Sequence, residues 1–228
     1  MFENWVVATI EALSPMRDPG RAAEMTAYMK DVSEFLGVPA PARRSAQSQA
    51  WKPLGRLDED ELGRVCEALW TLDEREYQYA ACDLIAKHSG ALSAAFIPDV
   101  TQRLLTTKPW WDTVDSLGTA AVTPLVDRHH LVDLMWSWMD SGDRWLIRAA
   151  VQHQRGLKQR TDLARLFAMC DRVADDREFF IAKAVGWALR DAAALSSGAV
   201  QSFVDQHPKL SAVARREATK GLARSARP

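Results

Sequence analysis

Cysteine is scarce in this 228-residue chain: Cys66, Cys82 and Cys170 stand far apart, and no two form a CxxC pair. No histidine cluster accompanies them, so neither a disulfide framework nor a zinc site is expected. Each lies in an apolar helical pattern and reads as a reduced core thiol. Long hydrophobic runs are missing too, none approaching the roughly 18 to 20 residues that cross a bilayer. The opening MFENWVVATIEALS has neither a basic leader region nor a small-residue cleavage site. A soluble intracellular protein is expected, with no membrane and no metal among its partners. Period-two alternation is also absent, while proline and glycine fall between segments of helical apolar spacing; this excludes a β architecture and predicts an all-α fold. A large excess of charge is missing as well, the net being −1, which argues against a uniformly polyanion-seeking surface.

What is present is unevenly placed. Residues 1–140 carry 13 Lys and Arg against 21 Asp and Glu, whereas residues 141–228 carry 16 against 9. The asymmetry predicts a localised basic face in the C-terminal part. The apolar content of 47% suffices for the core of one domain spanning 1–228. From residue 58 onward helix pairs are predicted to begin near 58, 93, 127, 160 and 196, with second members near 75, 110, 143, 177 and 211. A helix–turn–helix recurring every 33 to 36 residues or so describes an α-solenoid of HEAT-like repeats, because one amphipathic hairpin cannot bury its apolar face alone and stacking buries a continuous one. Such a stack presents a concave side. Residues 1–57 read as an N-terminal cap: an amphipathic segment (Trp5, Val6, Ile10, Leu13), a second through Met25, Tyr28 and Met29, then GVPAPARR, whose prolines must interrupt helix.

The unusual side chains fall on second helices. In TTKPWWDTVDSLG, Trp110, Val114, Leu117 and Ala121 follow i, i+4, i+7, i+11 and form a core face. Trp111 and Asp115, also i and i+4, share a different face that continues through Gly118, which has no side chain to obstruct a ligand. Asp112 reads as a helix-end carboxylate. The next second helix spaces Arg144, Arg148 and Arg155 as a basic stripe, and the one after it aligns Lys183, Trp187 and Arg190. Equivalent helices of a solenoid line one side, so Trp111, Asp115, Arg148 and Trp187 are expected to converge there with basic residues around them. Singly, each has a plain reading: a helical tryptophan as core, an arginine as solvated surface, an aspartate as cap or ion-pair partner.

These blocks, with YMKDVSEFLGVPAPARR, LWTLDEREYQYAACDL, RWLIRAAVQHQ and EFFIAKAVGWALRD in order, resemble the DNA alkylation repair family, AlkD-like DNA glycosylases built from HEAT-like repeats. The resemblance implies hydrolysis of the N-glycosidic bond of cationic N3- or N7-alkylated purines in double-stranded DNA, such as 3-methyladenine and 7-methylguanine, as a step of base-excision repair. It implies a monomer without metal or organic cofactor, in the bacterial cytoplasm and on the nucleoid when bound to DNA. It places the catalytic aspartate on Asp115, the active-site tryptophans on Trp111 and Trp187 and the active-site arginine on Arg148, and it implies contact with the lesion without drawing the base into a deep pocket.

Arg144, Arg148, Arg155, Lys183 and Arg190 are expected to contact DNA. Two other functions fit a helical-repeat chain: a non-catalytic protein that holds unusual DNA structures, which the retained aspartate and tryptophans disfavour, and a protein-interaction scaffold, which would show no salt-dependent DNA affinity. Tyr28 reads as core or as an approach to the site from the cap. Gln152 and His153 lie beside the arginines as further DNA contacts, and His129 with His130 as the surface start of a first helix.

Overall fold

A computed structural model describes residues 2–225. The chain packs as two compact units, Met1–Ala121 and Val122–Pro228. Among the described residues there is helix and no strand, only one isolated bridge between Glu34 and Glu74, as the apolar spacing predicts.

The first unit holds α1 (Glu3–Leu13), α2 (Pro19–Tyr28), α3 (Ala40–Trp51), α4 (Glu59–Thr71), α5 (Arg75–His88), α6 (Gln102–Thr106) and α7 (Trp111–Leu117). α4 starts where its sequence provides a capping box: the Asp58 carboxylate accepts from the Glu61 N–H at 2.7 Å, and the Glu61 side chain reaches back to the Asp58 N–H. Leu62, Val65, Cys66 and Leu69, spaced for one helical face, are fully buried as α4 packs on α5. The cap has three helices instead of the two read from the sequence. Its prolines do close the stretch after α2, but Pro39 is the N-cap of α3 and Pro41 stands in its first turn, where a missing N–H is no loss.

Glu76 anchors that stretch. Fully buried on α5, its carboxylate accepts from the N–H groups of Leu36, Gly37 and Val38 at 2.9, 2.9 and 3.0 Å. Gly37 sits at φ +84°, and a Cβ there would lie 2.3 Å from the Asp18 carbonyl oxygen, so the close approach needs glycine.

The N-terminus of α7 is held from α5 by a buried ion pair. Arg75, 1% exposed, donates Nε to Asp112 Oδ2 at 3.0 Å and Nη2 to Asp112 Oδ1 at 2.7 Å. Its remaining donors reach Gln78, the Lys108 carbonyl and Thr113 Oγ1 at 2.5, 2.8 and 2.9 Å. The Tyr79 hydroxyl adds a 2.5 Å donation to Asp112, and burial with the Asp112 charge pushes the Tyr79 phenol well up. Asp112 therefore lies at the helix end, as its position predicts, but its main partner is Arg75. The preceding turn is tied the same way, with Lys108 Nζ donating to the carbonyls of Thr71 and Leu72 at 2.9 and 3.0 Å.

After α7, residues Gly118–Val122 form a π-helical turn. The second unit contains α8 (Thr123–His129), α9 (Val132–Met139), α10 (Arg144–Val151), α11 (Leu163–Arg172), α12 (Phe179–Ala192), α13 (Ser197–Gln206) and α14 (Ala212–Ser225). Side-chain carboxylates cap three of them: Asp143 accepts from Trp145 and Leu146, Asp162 from Arg165, and Glu178 from Phe180 and Ile181. α12 packs along α14 so closely that a Cβ on Gly221 would lie 2.6 Å from the Arg190 carbonyl oxygen.

The predicted second helices near 143, 177 and 211 and first helices near 160 and 196 match α10, α12, α14, α11 and α13 within a few residues. The first helix expected near 127 does not begin there. Residues 123–129 form α8, His130 closes it in the left-handed region at φ 55°, and the first helix α9 starts at Val132. His129 and His130 thus end a helix instead of opening one.

Asp112→Ala would leave the Arg75 guanidinium buried without its counterion. It is expected to destabilise the protein by about 3 to 5 kcal/mol, read as a lower urea midpoint, with Asp112→Asn losing less. A midpoint for Asp112→Ala equal to the parent's would show that the pair does not hold α7.

Candidate nucleic-acid interface

In the first unit Trp111 is the first residue of α7 and Asp115 lies one turn on, so both share a face. Both are half-buried, unlike Val114, Leu117 and Ala121, which are 1, 0 and 0% exposed and form the core side. Trp110 departs from the helical core role expected of it. It is the N-cap, with extended backbone at φ −152° and ψ 164°, and is half-buried. The neighbouring tryptophans are separated by a change of backbone conformation as well as by helical rotation.

Tyr28, at the end of α2, is not core: it is 70% exposed, and its ring meets Trp111 edge-on with centroids 6.4 Å apart. Gly118 continues the Trp111 face, and a Cβ added there would meet nothing within 4 Å. The first unit therefore presents two π-rings, one carboxylate and an open approach. An anion beside electron-rich ring faces suits a cation.

The second unit presents the opposite chemistry. Four cations surround the half-buried Trp187 ring: Arg155 at 4.6 Å from its centroid, Arg148 at 5.2, Arg190 at 5.6 and Lys183 at 5.7 Å. Arg148 is 1% exposed and donates Nη1 to the Phe180 carbonyl at 2.7 Å. Lys183, Trp187 and Arg190 do share a face of α12, as their spacing predicts. Two of them, however, are held by a residue that sequence reasoning passed over.

Glu217 on α14, 2% exposed, accepts from Lys183 at 3.1 Å, Arg190 at 2.9 Å and Lys220 at 3.0 Å. Burial by itself would raise its carboxyl, but the hydrogen bonds and charges of Lys220 and Lys183 win and hold it down to about 2. The signal for this acid was faint, a single Glu in the basic stretch ARREATKGLAR.

The predicted stripe Arg144, Arg148, Arg155 does not form one exposed line. α10 ends at Val151, which leaves Arg155 in the following turn, exposed, with Nη1 3.3 Å from Gln152 Oε1. Arg144 goes elsewhere, over the Trp145 ring at 5.0 Å and 3.6 Å from Glu178. Gln152 is 8% exposed and His153 only 2%. His153 Nδ1 lies 2.7 Å from the Ala150 carbonyl, which can only accept, so Nδ1 carries the hydrogen. Buried Nε2 meets no partner among the described residues. His153 is thus an inward-facing neutral imidazole and not the DNA contact its sequence position suggests.

No group of His, Cys, Asp and Glu able to hold a metal ion occurs among the described residues, and no described helix is long and apolar enough to cross a membrane. The sequence profile of the DNA alkylation repair enzymes matches residues 9–222. The chain belongs to the DNA alkylation repair enzyme family. A solved structure from Enterococcus faecalis, described as a predicted DNA alkylation repair enzyme, is similar to it at 30% identity and a TM-score of 0.79, over 91% of this chain and 97% of that one. Comparison with curated proteins gives no match.

Burial lowers His153 from its ordinary 6.5 to about 4. A folded value below the unfolded one means that the unfolded chain takes up a proton that the fold refuses. Stability therefore falls as pH drops through this window, by about 2 kcal/mol between pH 7.5 and 5. Urea titrations across that range are expected to show the loss and His153→Gln to reduce it; equal pH slopes in the two proteins would refute the role of this imidazole.

Proposed function

We propose that the protein is a monofunctional DNA glycosylase that releases cationic N3- or N7-alkylated purines from double-stranded DNA. The observation that carries this reading is the face formed by Trp111, Asp115 and Tyr28, two π-systems and a carboxylate with Gly118 leaving the approach open. A purine alkylated at N3 or N7 is positively charged and departs neutral, so its leaving needs no general acid. The group that requires help is the deoxyribose, which becomes oxocarbenium-like as the bond breaks.

Asp115 opposes that developing charge and orients the attacking water. At ~4 Å and an effective dielectric of about 20 the attraction is worth up to roughly 4 kcal/mol. The Trp111 face adds about 0.5 to 2 kcal/mol by cation–π contact, and Tyr28 braces the indole edge-on. Neutral lesions, which need protonation of the leaving base, are poor substrates on this mechanism.

The cations of the second unit suit the DNA backbone. Arg155, exposed and without a carboxylate partner among the described residues, is the strongest direct phosphate ligand. Arg148, buried against the Phe180 carbonyl and the Trp187 ring, acts as a positioning residue. Trp187 is matched better to organising these four cations than to holding a cationic lesion, because its ring is already engaged with positive charge. Lys183 and Arg190, neutralised in part by Glu217, add less to the phosphate grip than their exposure in a bare helix would.

Purified protein is expected to release 7-methylguanine or 3-methyladenine from methylated DNA in the presence of a metal chelator. Asp115→Asn should slow release by about 10²- to 10³-fold with duplex affinity retained. Gly118→Leu, built into open space, should fold normally and obstruct the lesion. Release at the parent rate by Asp115→Asn would refute its role, and a chain that binds duplex but releases no base would be a non-catalytic DNA-binding member of the family.

A further inference from the structure

The second unit contains a cleft of about 450 Å³ that shares Arg155, Arg190 and Trp187 with the backbone contacts proposed above, while the rest of its lining has no part in the alkylpurine reaction. This volume lies within the roughly 300 to 1,000 Å³ of small-molecule sites. Its floor is apolar, made by Val151, Leu166, Ala188 and Leu195, and the Trp187 indole forms one side. Its rim is cationic: Arg155, Lys158, Arg190 and Arg224 line it against one acid, Asp191.

Most of that positive charge is uncompensated. Arg190 is paired with Glu217, but Arg155, Lys158 and Arg224 have no carboxylate partner among the described residues, and all three are exposed. Lys158 is also held at φ 53°, a left-handed conformation that is strained for a non-glycine residue. Such local strain recurs at ligand clamps. Gln159 and Thr161, close to it in the chain, also line the cleft.

We propose that this cleft is a subsite for a single phosphorylated nucleoside, whose base lies on the apolar floor and whose phosphate is held by Arg155, Lys158 and Arg224. A wholly apolar ligand would leave the three cations without a counterion, and inorganic phosphate alone would leave the floor uncovered. An anion with an apolar body satisfies both parts, and the Trp187 indole along one side suits a flat one. Two sources share this chemistry, a free mononucleotide and an unpaired nucleotide of a DNA strand; the second rests on the DNA function proposed above, the first does not.

The full chain is titrated with 2′-deoxyguanosine 5′-monophosphate, with deoxyguanosine, and with duplexes that are fully paired or carry one unpaired nucleotide. Binding of the mononucleotide about tenfold tighter than the nucleoside is expected, or the same preference for the bulged over the paired duplex; the first identifies a free ligand and the second a strand nucleotide. Ala194→Trp, which places an indole in the cleft from its exposed wall, should abolish either preference while leaving thermal melting and paired-duplex affinity unchanged. Arg224→Glu should weaken it without filling the cleft. Absence of both preferences in the parent, or their survival in Ala194→Trp, overturns the subsite. Base release and paired-duplex binding measured alongside separate the outcomes: if they persist when the preferences are absent, the subsite fails and the glycosylase stands. If the mononucleotide binds while duplex binding is missing, the reverse holds.

Discussion

Arg75 sits in the interior of the first unit, and a guanidinium is tolerated there only because Asp112 meets it with both carboxylate oxygens while Gln78, Thr113 and the Lys108 carbonyl take its other donors. Taking two charges out of water is costly, and the pair is held by satisfied hydrogen bonds instead of by charge alone. Its effect is geometric as well as energetic. Asp112 lies directly after Trp111 and three residues before Asp115, so the fork that grips Asp112 also fixes the rotation of α7. That rotation decides which side chains of α7 are core and which remain open to a ligand.

The second unit solves the converse problem. Four cations crowd one indole, a repulsive arrangement unless something negative lies within reach. Glu217 supplies that charge from α14, which α12 approaches closely through Gly221. The close packing and the charge compensation are therefore one arrangement: a bulkier residue at 221 would push α14 and its carboxylate away from Lys183 and Arg190. What lacks a carboxylate partner among the described residues is Arg155, with Lys158 and Arg224 around the cleft.

Much of this was legible in the chain. The spacing of Leu62, Val65, Cys66 and Leu69, the carboxylates before α4, α10, α11 and α12, and the recurrence of helix pairs all follow local rules, and the helices appear where those rules place them. Trp111 and Asp115 were legible for the same reason, since i and i+4 share a face in any α-helix. Failures cluster where a local rule meets another element. Tyr28 has the spacing of a core residue yet finds no core to enter at the end of α2. The arginine spacing from 144 to 155 assumes a helix that in fact ends at Val151, and the histidines at 129 and 130 close α8 because the helix continues past a π-helical turn.

By itself the sequence determined helix and the approximate position of nearly every hairpin, because backbone hydrogen bonding and apolar periodicity act over a few residues. Tertiary structure alone decided which charged residues are neutralised. Arg75 meets Asp112 across 37 residues, and Lys183 meets Glu217 across 34. Such pairs depend on packing between helices, where a buried charge must find its partner wherever in the chain that partner occurs.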